Sequence, residues 1–344
     1  MDPLRIINVS KTPAGTFDWY DGKLPAELSA QFTHYHASPN NALERKITSP
    51  NIALHRGSLQ AAQTAQSGSA DILVSHLPVV SKWVEFYRLG RKRKIPHLAF
   101  AFNHDVMPTG KNKDMMIKLY RDVERFVVFS SAEKQLYADE LKIPKERIDM
   151  VHWGVVPPEV DTSAPPLIEG DYITAIGRSG RNYKVMIEAL KALPDIKAVI
   201  VASPENMKGL DVPPNVEVRE EIPWNDMLNI LYHSRFMVLP LFKSDIPYGH
   251  GTAILAMHLN RPVIVTDGDA MSDYVQDGET GLMYPADDSD ALADRIKTLW
   301  DNSEENERLA QNAYQFAHSY CTEAASIARV APLLQEVIAQ GTSC

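Results

Sequence analysis

Short apolar runs alternate with segments of helical periodicity along most of the chain. In the first half this pattern predicts strands at 4–9, 71–75, 97–101, 125–130 and 149–152, and a helix at 132–141 capped by Ser130 and Ser131. In the second half it predicts strands at 171–176, 198–202, 216–219, 236–241 and 262–266, and helices at 183–193, 225–233, 252–259, 288–302, 304–320 and 322–339. Such alternation is typical of βαβ units that build a parallel sheet.

A proline-rich stretch separates the two halves. Pro157, Pro158, Pro165 and Pro166 lie in a segment without helical periodicity. We therefore expect an α/β protein of two Rossmann-like domains, residues 1–156 and 171–320, joined by a linker at 157–170. In open parallel sheets, ligands bind beyond the carboxyl ends of the strands, so the two domains are expected to face a central ligand cleft.

Composition narrows the class of protein. Hydrophobic residues make up 44% of the chain and charged residues 23%, as in ordinary globular proteins. The formal net charge of −9 argues against general nucleic-acid binding, which requires a basic surface. The pattern predicts neither a signal peptide nor a membrane-spanning helix, and Cys321 and Cys344 are too few for a disulfide framework or a metal cluster. We expect a cytoplasmic protein.

Two glycine-containing turns precede predicted helices in the second half. The first is GRSGRNYK at 177–184, in which Arg178 and Lys184 are the candidate cations. The second is YGHGT at 248–252, where Gly249, His250 and Gly251 precede Thr252, a plausible helix cap. Glycine lets backbone approach a ligand closely, and a helix N-terminus offers free N–H groups to an anion. The first turn alone is weak evidence, since it is also consistent with a plain surface turn, and the second alone is equally consistent with an ordinary capped helix start. Together, on the same edge of the sheet, the two turns favour an anion site.

In the first half, candidate catalytic or sugar-binding residues follow the predicted strands. The run FNHD at 102–105 follows a predicted strand, and His104 and Asp105 are suited to act as a general base or as ligands of sugar hydroxyls. The alternative is that Asp105 caps a turn while His104 is packed. Gly15, in the loop after the first strand, is a further candidate, and His76 a weaker one.

A cluster of aromatic and basic residues lies at 83–94. Its members are Trp83, Phe86, Tyr87, Arg88, Arg91, Lys92, Arg93 and Lys94. The simpler interpretation is the solvated end of a surface helix. The alternative is peripheral contact with an anionic membrane, with aromatic rings below the cations.

The second half resembles the C-terminal domain of GT-B glycosyltransferases, in particular the family 4 type known as glycosyl transferases group 1. The resemblance rests on Gly177, Arg178 and Lys184, on AM at 256–257 with RPVIVTD at 261–267, and on DYVQDGETGL at 273–282. It extends from about 126 to about 300, and the first 120 residues match only loosely. It implies that Arg178 and Lys184 bind a diphosphate, that backbone near Ile222 holds the base, and that His104 contacts the donor sugar. It also implies that the last helix, about 322–344, packs on the first domain.

The chain departs from that family at two positions. The family carries two glutamates, one for the donor sugar and one for the ribose hydroxyls, and these positions fall on Pro247 and Leu255 here. Asp245 lies two residues from the first position and is the candidate substitute. The resemblance thus leaves phosphate recognition intact and puts recognition of sugar and ribose in question.

These observations predict a glycosyltransferase of class EC 2.4. It would transfer a hexose or uronic acid from a nucleotide diphosphate sugar, UDP-linked, to a membrane lipid or lipid-linked glycan. The resemblance implies retention of configuration without a protein nucleophile; if Asp105 reaches the acceptor hydroxyl, inversion is the alternative. No metal or other cofactor is expected. A GT-B sugar-nucleotide epimerase and a non-catalytic nucleotide-binding partner of another transferase remain as alternatives.

Overall fold

The computed structural model describes residues 3–12, 21–47, 51–90, 95–243 and 248–341. The chain divides into two compact units. Unit 1 comprises Met1–Val151 and Ser326–Cys344, and unit 2 comprises His152–Ala325. The proline-rich segment 157–170, expected to be a linker, lies within unit 2 and contains neither helix nor strand.

The described residues of unit 1 form a parallel sheet of six strands. They are β1 (Leu4–Ser10), β2 (Ala30–His36), β3 (Ile72–His76), β4 (His97–Phe100), β5 (Arg125–Val128) and β6 (Ile148–Met150), in the order β2-β1-β3-β4-β5-β6. Its first helices are α1 (Ala42–Lys46), α2 (Ile52–Ser67), α3 (Pro78–Arg88), α4 (Gly110–Leu119) and α5 (Ser131–Leu141). Strands β3 and β4 are buried along their whole length, as expected for a sheet covered on both faces.

Strand β2 and helix α2 were not predicted. In β2, half-buried positions alternate with exposed ones over AQFT and the last three positions are all half-buried, because it is an edge strand whose apolar content is low. Helix α2 carries histidine, arginine and three glutamines among small residues, so its buried face is formed largely by alanines. Neither segment has the apolar stripe by which an element is recognised from sequence.

Buried polar groups join α3 to the sheet of unit 1. The Ser75 hydroxyl lies 2.7 Å from Nε2 of His97, and Oε1 of Glu85 lies 2.8 Å from Nδ1 of the same ring. Arg88 donates to Glu85 at 2.6 Å. Although serine, histidine and a carboxylate meet here, each is at most 2% exposed, so no substrate reaches them and the network is structural.

Unit 2 is built on a second parallel sheet. Its strands are β7 (Ile173–Ile176), β8 (Ala198–Ala202), β9 (Val216–Glu220), β10 (Met237–Leu239), β11 (Val263–Thr266) and β12 (Gly281–Tyr284), in the order β12-β11-β10-β7-β8-β9. Its helices are α6 (Tyr183–Lys191), α7 (Pro204–Met207), α8 (Trp224–His233), α9 (His250–His258), α10 (Ser289–Asp301) and α11 (Ser303–Tyr320). Strand β12 was not predicted. It is short and follows the turn that the glycines at 278 and 281 mark in the sequence.

The last helix, α12 (Glu323–Gly341), begins three residues before the chain returns to unit 1. Its buried side chains include Ile327, Val330, Leu334 and Val337. Glu336 on the same helix pairs at 3.0 Å with Arg125 at the start of β5. The segment Ser326–Cys344 thus belongs to unit 1.

The strand order of each sheet shows where the chain changes from adding strands on one side to adding them on the other. In unit 2 the chain runs from β7 outward to β8 and β9, then crosses to β10 on the other side of β7. The reversal therefore lies between β7 and β10, and the corresponding point in unit 1 lies between β1 and β3. Open parallel sheets bind ligands outside the carboxyl ends of the strands at such a point.

Candidate functional site

The first glycine turn leaves β7 at the point of reversal in unit 2. Gly177 has φ of +132°, a conformation that favours glycine. Its carbonyl oxygen accepts a hydrogen bond of 2.7 Å from the Tyr183 hydroxyl. A Cβ atom at this position would stand 2.4 Å from the Arg181 guanidinium, so glycine is required for space as well as for conformation.

Arg178 and Lys184 expose their side chains at this turn. The Arg178 backbone is held by Nδ2 of Asn206, which donates to its carbonyl oxygen at 2.9 Å. Lys184 is the second residue of α6, a helix whose start is capped by the side chain of Asn182. Within the described part of the chain, no carboxylate neutralises either cation. Both charges are therefore available to an anion at the start of α6.

Arg181 is the one cation of the turn whose side chain points inward, and sequence reasoning missed its role. It is 6% exposed, and burial lowers the pKa of its guanidinium. It donates to the carbonyl oxygen of Ile176 at 3.1 Å, to that of Ser179 at 2.8 Å, and to the Thr252 hydroxyl at 2.8 Å. Arg181 thus connects the first glycine turn directly to the second.

The second turn begins helix α9 earlier than predicted. The N-cap is Gly249, with φ of +88°, and the helix starts at His250. The prediction that Thr252 caps this helix is therefore wrong: Thr252 lies in the first turn, where its hydroxyl accepts the hydrogen bond from Arg181. The helix start has no side-chain cap, so its first backbone N–H groups remain available to a ligand.

The other candidate residues of unit 2 differ in burial and in the atoms that a ligand could reach. The His250 ring is buried, its Nε2 lies 3.1 Å from the Ala270 carbonyl oxygen, and burial lowers its pKa to about 4. Gly251 is exposed, with open space where a Cβ would stand. Leu255 and Ile222 are half-buried and pack against the apolar core.

Three candidates lie outside the described residues. They are Asp245 and Pro247 of unit 2 and Gly15 of unit 1, and their predicted roles stay predictions.

In unit 1, His104 follows β4 and is 7% exposed. Its backbone N–H donates to the Tyr137 hydroxyl at 2.9 Å, and that hydroxyl in turn donates to Glu133 at 3.0 Å. The ring lies edge-on to Phe102 and to Tyr137. Burial, aided by the positive charge of Lys82, lowers the pKa of His104 to about 4. The imidazole is therefore neutral near pH 7, and its Nε2 atom is buried without a hydrogen-bond partner.

Asp105, next in the chain, has an exposed side chain. His76, at the end of β3, is buried, and its Nε2 lies 2.7 Å from Oδ1 of Asn8. The Asn8 amide in turn lies 3.2 Å from Nδ1 of His34 on β2. These groups line the reversal point of the first sheet, and burial lowers the pKa of His76 to about 3.

The described residues lack two other kinds of feature. The described residues contain no group of three or more histidine, cysteine, aspartate or glutamate side chains placed to hold a metal ion. Among the same residues, no helix has the length and apolar character needed to cross a membrane.

Comparison with known proteins identifies the second unit. Residues 170–302 match the sequence model of the family described as Glycosyl transferases group 1. That segment contains both glycine turns. No curated protein sequence matches the chain significantly.

Similarity to solved structures extends over nearly the whole chain. A glycosyltransferase from Rickettsia africae is 13% identical with a TM-score of 0.73, over 98% of this chain and 99% of that one. HepE from Anabaena, solved with UDP, is 14% identical with a TM-score of 0.72, over 97% and 100%. The lipopolysaccharide outer core galactosyltransferase WaaB is 12% identical with a TM-score of 0.68, over 96% and 100%. The chain therefore has the GT-B fold of glycosyltransferases, and residues 170–302 of its second unit match the glycosyl transferases group 1 family.

Proposed function

We propose that this protein transfers a hexose or a uronic acid from a UDP-linked sugar to a membrane lipid or lipid-linked glycan. The observation that carries the proposal is the pair of glycine turns at the reversal point of unit 2, joined by the buried Arg181. One turn supplies the exposed cations Arg178 and Lys184, and the other supplies an uncapped helix start at His250.

This arrangement suits a diphosphate leaving group. When the bond between sugar and phosphate breaks, negative charge builds up on the phosphate oxygens, and donors that are already in position stabilise it without reorganisation. A guanidinium can bind two phosphate oxygens at once, and an ammonium adds a second charge. The N–H groups at the start of α9 point along the helix dipole, which favours an anion at that end.

UDP is proposed as the nucleotide of the donor because a structurally similar protein binds it. HepE has been solved with UDP and with UDP-glucose, and it shares the fold at 14% and 15% identity in these two structures. For this chain, backbone near Ile222 is proposed to hold the base. Retention of configuration is proposed with the β-phosphate as the base for the acceptor hydroxyl, without a metal ion. If Asp105 were instead the base, in-line displacement would invert the anomeric carbon.

The membrane acceptor is proposed from the cluster at 83–94. Phe86 is 41% exposed and Leu89 is 46% exposed at the end of α3, and the four cations that follow at 91–94 lie outside the described residues. We expect replacement of Arg91, Lys92, Arg93 and Lys94 by glutamine to lower binding to anionic vesicles at low salt. Unchanged partitioning in a vesicle-sedimentation assay would remove the membrane from the proposal. The protein would then act in the cytoplasm rather than on the inner membrane face.

The transfer reaction is tested by measuring nucleoside diphosphate release from UDP-, GDP- and ADP-sugars, with and without mixed lipid vesicles. We expect release from one donor class, and loss of that release in Arg178→Ala and Lys184→Ala. Lys297→Ala, at an exposed lysine on α10, is the control and should retain activity. Release that persists in both site variants would contradict the assignment of the diphosphate site.

One observation favours a second candidate function. Leu255 occupies the position at which the family resemblance places the ribose-binding glutamate, and a leucine side chain cannot accept a hydrogen bond from a hydroxyl. The chain would then be a nucleotide-binding partner of another transferase without activity of its own. Nucleotide binding that depends on Arg178 and Lys184, with no sugar release from any donor, would select this alternative. Interconversion of donor sugars without an acceptor, seen by NMR, would instead indicate an epimerase.

A further inference from the structure

A cavity of about 490 Å³ lies at the carboxyl end of β2, between this edge strand and α2. We call it the β2 cavity, and it is lined by residues 34–36 and 38–40 and by Arg56 and Gln60 of α2. Its volume falls in the range of about 300–1,000 Å³ that is usual for ligand pockets. One lining residue, His34, lies 3.2 Å from the Asn8 amide, which also contacts His76 at the reversal point of the sheet. The β2 cavity therefore borders the edge of the sheet at which ligands bind.

Contacts between α2 and the strand fix the walls of the β2 cavity. Gly57 brings the helix against the chain that follows β2, since a Cβ atom at this position would stand 2.8 Å from the Cα atom of Ala37. The hydroxyl groups of Tyr35 on β2 and Thr64 on α2 lie 2.5 Å apart. Because these contacts are made within the protein itself, the cavity has its shape before any ligand binds.

The charges at the β2 cavity are balanced. The Arg56 guanidinium donates to the two carboxylate oxygens of Glu44 at 2.9 and 3.2 Å. This contact lowers the pKa of Glu44, so the carboxylate is charged at neutral pH and neutralises the arginine. Among the described residues, no aspartate or glutamate lines the cavity and no group of side chains is placed to hold a metal ion. A charged ligand would find no counterion here, so we expect a neutral one.

Three polar groups that line the β2 cavity have unused hydrogen-bonding capacity within the described part of the chain. The side-chain amide of Gln60 forms no hydrogen bond there. Nδ1 of His36 lies 3.3 Å from the carbonyl oxygen of Thr12, which leaves Nε2 for a ligand. Arg56 forms its hydrogen bonds through Nε and Nη2, which leaves Nη1. An amide, an imidazole nitrogen and a guanidinium N–H are thus available together.

A neutral sugar matches this set of groups. An amide both donates and accepts hydrogen bonds, a guanidinium donates, and a sugar hydroxyl does both. The apolar C–H groups of a pyranose ring suit Pro39 and Tyr35, which also line the cavity. We propose that the β2 cavity binds a neutral hexose, with Gln60, His36 and Arg56 as its hydrogen-bonding partners. This sugar site is additional to the diphosphate site of unit 2, and it rests on the proposed function only where the hexose belongs to the acceptor.

Binding of simple glycosides to the full chain tests this site without nucleotide or turnover. The ligands are the methyl glycosides of glucose, galactose and mannose, those of the corresponding uronic acids, and inorganic phosphate, all followed by ligand-observed NMR. We expect a neutral glycoside to bind, and its uronic acid to bind roughly tenfold more weakly, because the carboxylate would lose water without meeting a net positive charge. No binding of any neutral glycoside, or tighter binding of a uronic acid or of phosphate, would overturn the proposal.

Gln60→Trp places a large ring in the β2 cavity, and Gln63→Trp is its matched control. Both glutamines are exposed on α2, so both variants should keep the thermal midpoint of the wild type, but Gln63 does not line the cavity. We expect loss of glycoside binding in Gln60→Trp alone. Gln60→Ala removes one neutral hydrogen-bonding group and should weaken binding roughly two- to tenfold. Unchanged binding in Gln60→Trp, or equal loss in the two tryptophan variants, would contradict the assignment.

The hexose can belong to an acceptor glycan or can be a free sugar that is not itself glycosylated. In the first case, the KM for an acceptor that contains the hexose is higher in Gln60→Trp than in Gln63→Trp. In the second case, the two variants have the same KM, and the methyl glycoside alters the rate of UDP release in Gln63→Trp only. Either result supports the sugar site. Because glycoside binding requires no donor, a chain that binds the glycoside without transferring sugar keeps this site and loses the proposed function, whereas a chain that transfers sugar without binding the glycoside does the reverse.

Discussion

Three cations lie within seven residues at the first glycine turn, and their surroundings give them different roles. The sequence motif identified Arg178 and Lys184, because its glycine and helix start indicate a phosphate site. It did not identify Arg181, because the three cations look alike in sequence. What sets Arg181 apart is its hydrogen bond to Thr252, which lies 71 positions later in the chain. A contact of such separation cannot be read from a local pattern.

Replacement of Arg181 by methionine should affect both folding and binding. It removes the hydrogen bonds to the carbonyl oxygens of the buried Ile176 and the exposed Ser179, and a buried group left unsatisfied costs about 1–3 kcal/mol. We expect a lower thermal midpoint together with weaker binding of UDP, measured by differential scanning calorimetry and titration calorimetry. Arg178→Ala, at an exposed side chain, should weaken UDP binding at an unchanged midpoint. Equal midpoints in the two variants would mean that Arg181 does not join the turns.

Gly177→Ala tests the contact between the first glycine turn and Arg181 by changing the glycine rather than the arginine. The added methyl would overlap the Arg181 guanidinium, and φ of +132° is strained for alanine, at a cost of about 1–3 kcal/mol. We expect reduced UDP affinity and a lower unfolding midpoint. Gly268→Ala is the matched control, since a Cβ there meets no atom within 4 Å. If both variants behaved like the wild type, the close packing at Gly177 would be unimportant for the site.

At the scale of elements, the predictions succeeded where a strong apolar pattern exists. The strand at 198–202 has the predicted bounds, and the helix predicted at 304–320 begins one residue earlier. Strands β2 and β12 were missed because both lie at a sheet edge and neither contains a run of β-branched residues. Helix α9 begins at His250 rather than Thr252, because its cap is a glycine with positive φ and has no side chain to signal it.

Helix α12 should contribute strongly to the stability of unit 1. Leu334 is 1% exposed, and Leu334→Ala removes buried methyl groups and leaves a cavity. We expect a loss of about 2–5 kcal/mol in the free energy of unfolding, measured by urea denaturation. Gln335→Ala, at the exposed neighbouring position, should change it by less than about 0.5 kcal/mol. Similar values for both variants would show that the helix is not packed as described.

At the scale of the whole molecule, both units carry buried histidines held neutral. Burial lowers the pKa to about 3 for His76 and to about 4 for His104 in unit 1, and to about 4 for His250 in unit 2. Glu133 acts in the opposite sense, since burial raises its pKa to about 7. These groups lie in the core close to the candidate sites, where sequence shows which residues are present but not how deeply they are buried.

Acid should therefore destabilise the protein in a defined range. Below about pH 6.5 the unfolded chain binds protons at these histidines that the folded protein does not bind, so the free energy of unfolding falls as pH falls toward about 4. Glu133 has the opposite effect, because the folded protein binds a proton there that the unfolded chain does not. It therefore offsets the destabilisation caused by one of the three histidines. His104→Gln should make the dependence shallower, as measured by urea denaturation between about pH 7 and pH 5. An unchanged slope would show that His104 binds protons equally in the folded and unfolded states, so that its pKa is not lowered by folding.

The path of the chain has a consequence for how the protein is made. Unit 1 contains the first 151 residues and the segment from Ser326 onward, with all of unit 2 between them. On the ribosome, the first sheet emerges before unit 2 and lacks α12 until all of unit 2 has been synthesised, whereas unit 2 is a continuous segment. Domains fold as units in the order in which they emerge. Of these two units, unit 1 thus begins to be translated first and is completed last, and the apolar surface that α12 covers is exposed to chaperones throughout the synthesis of unit 2.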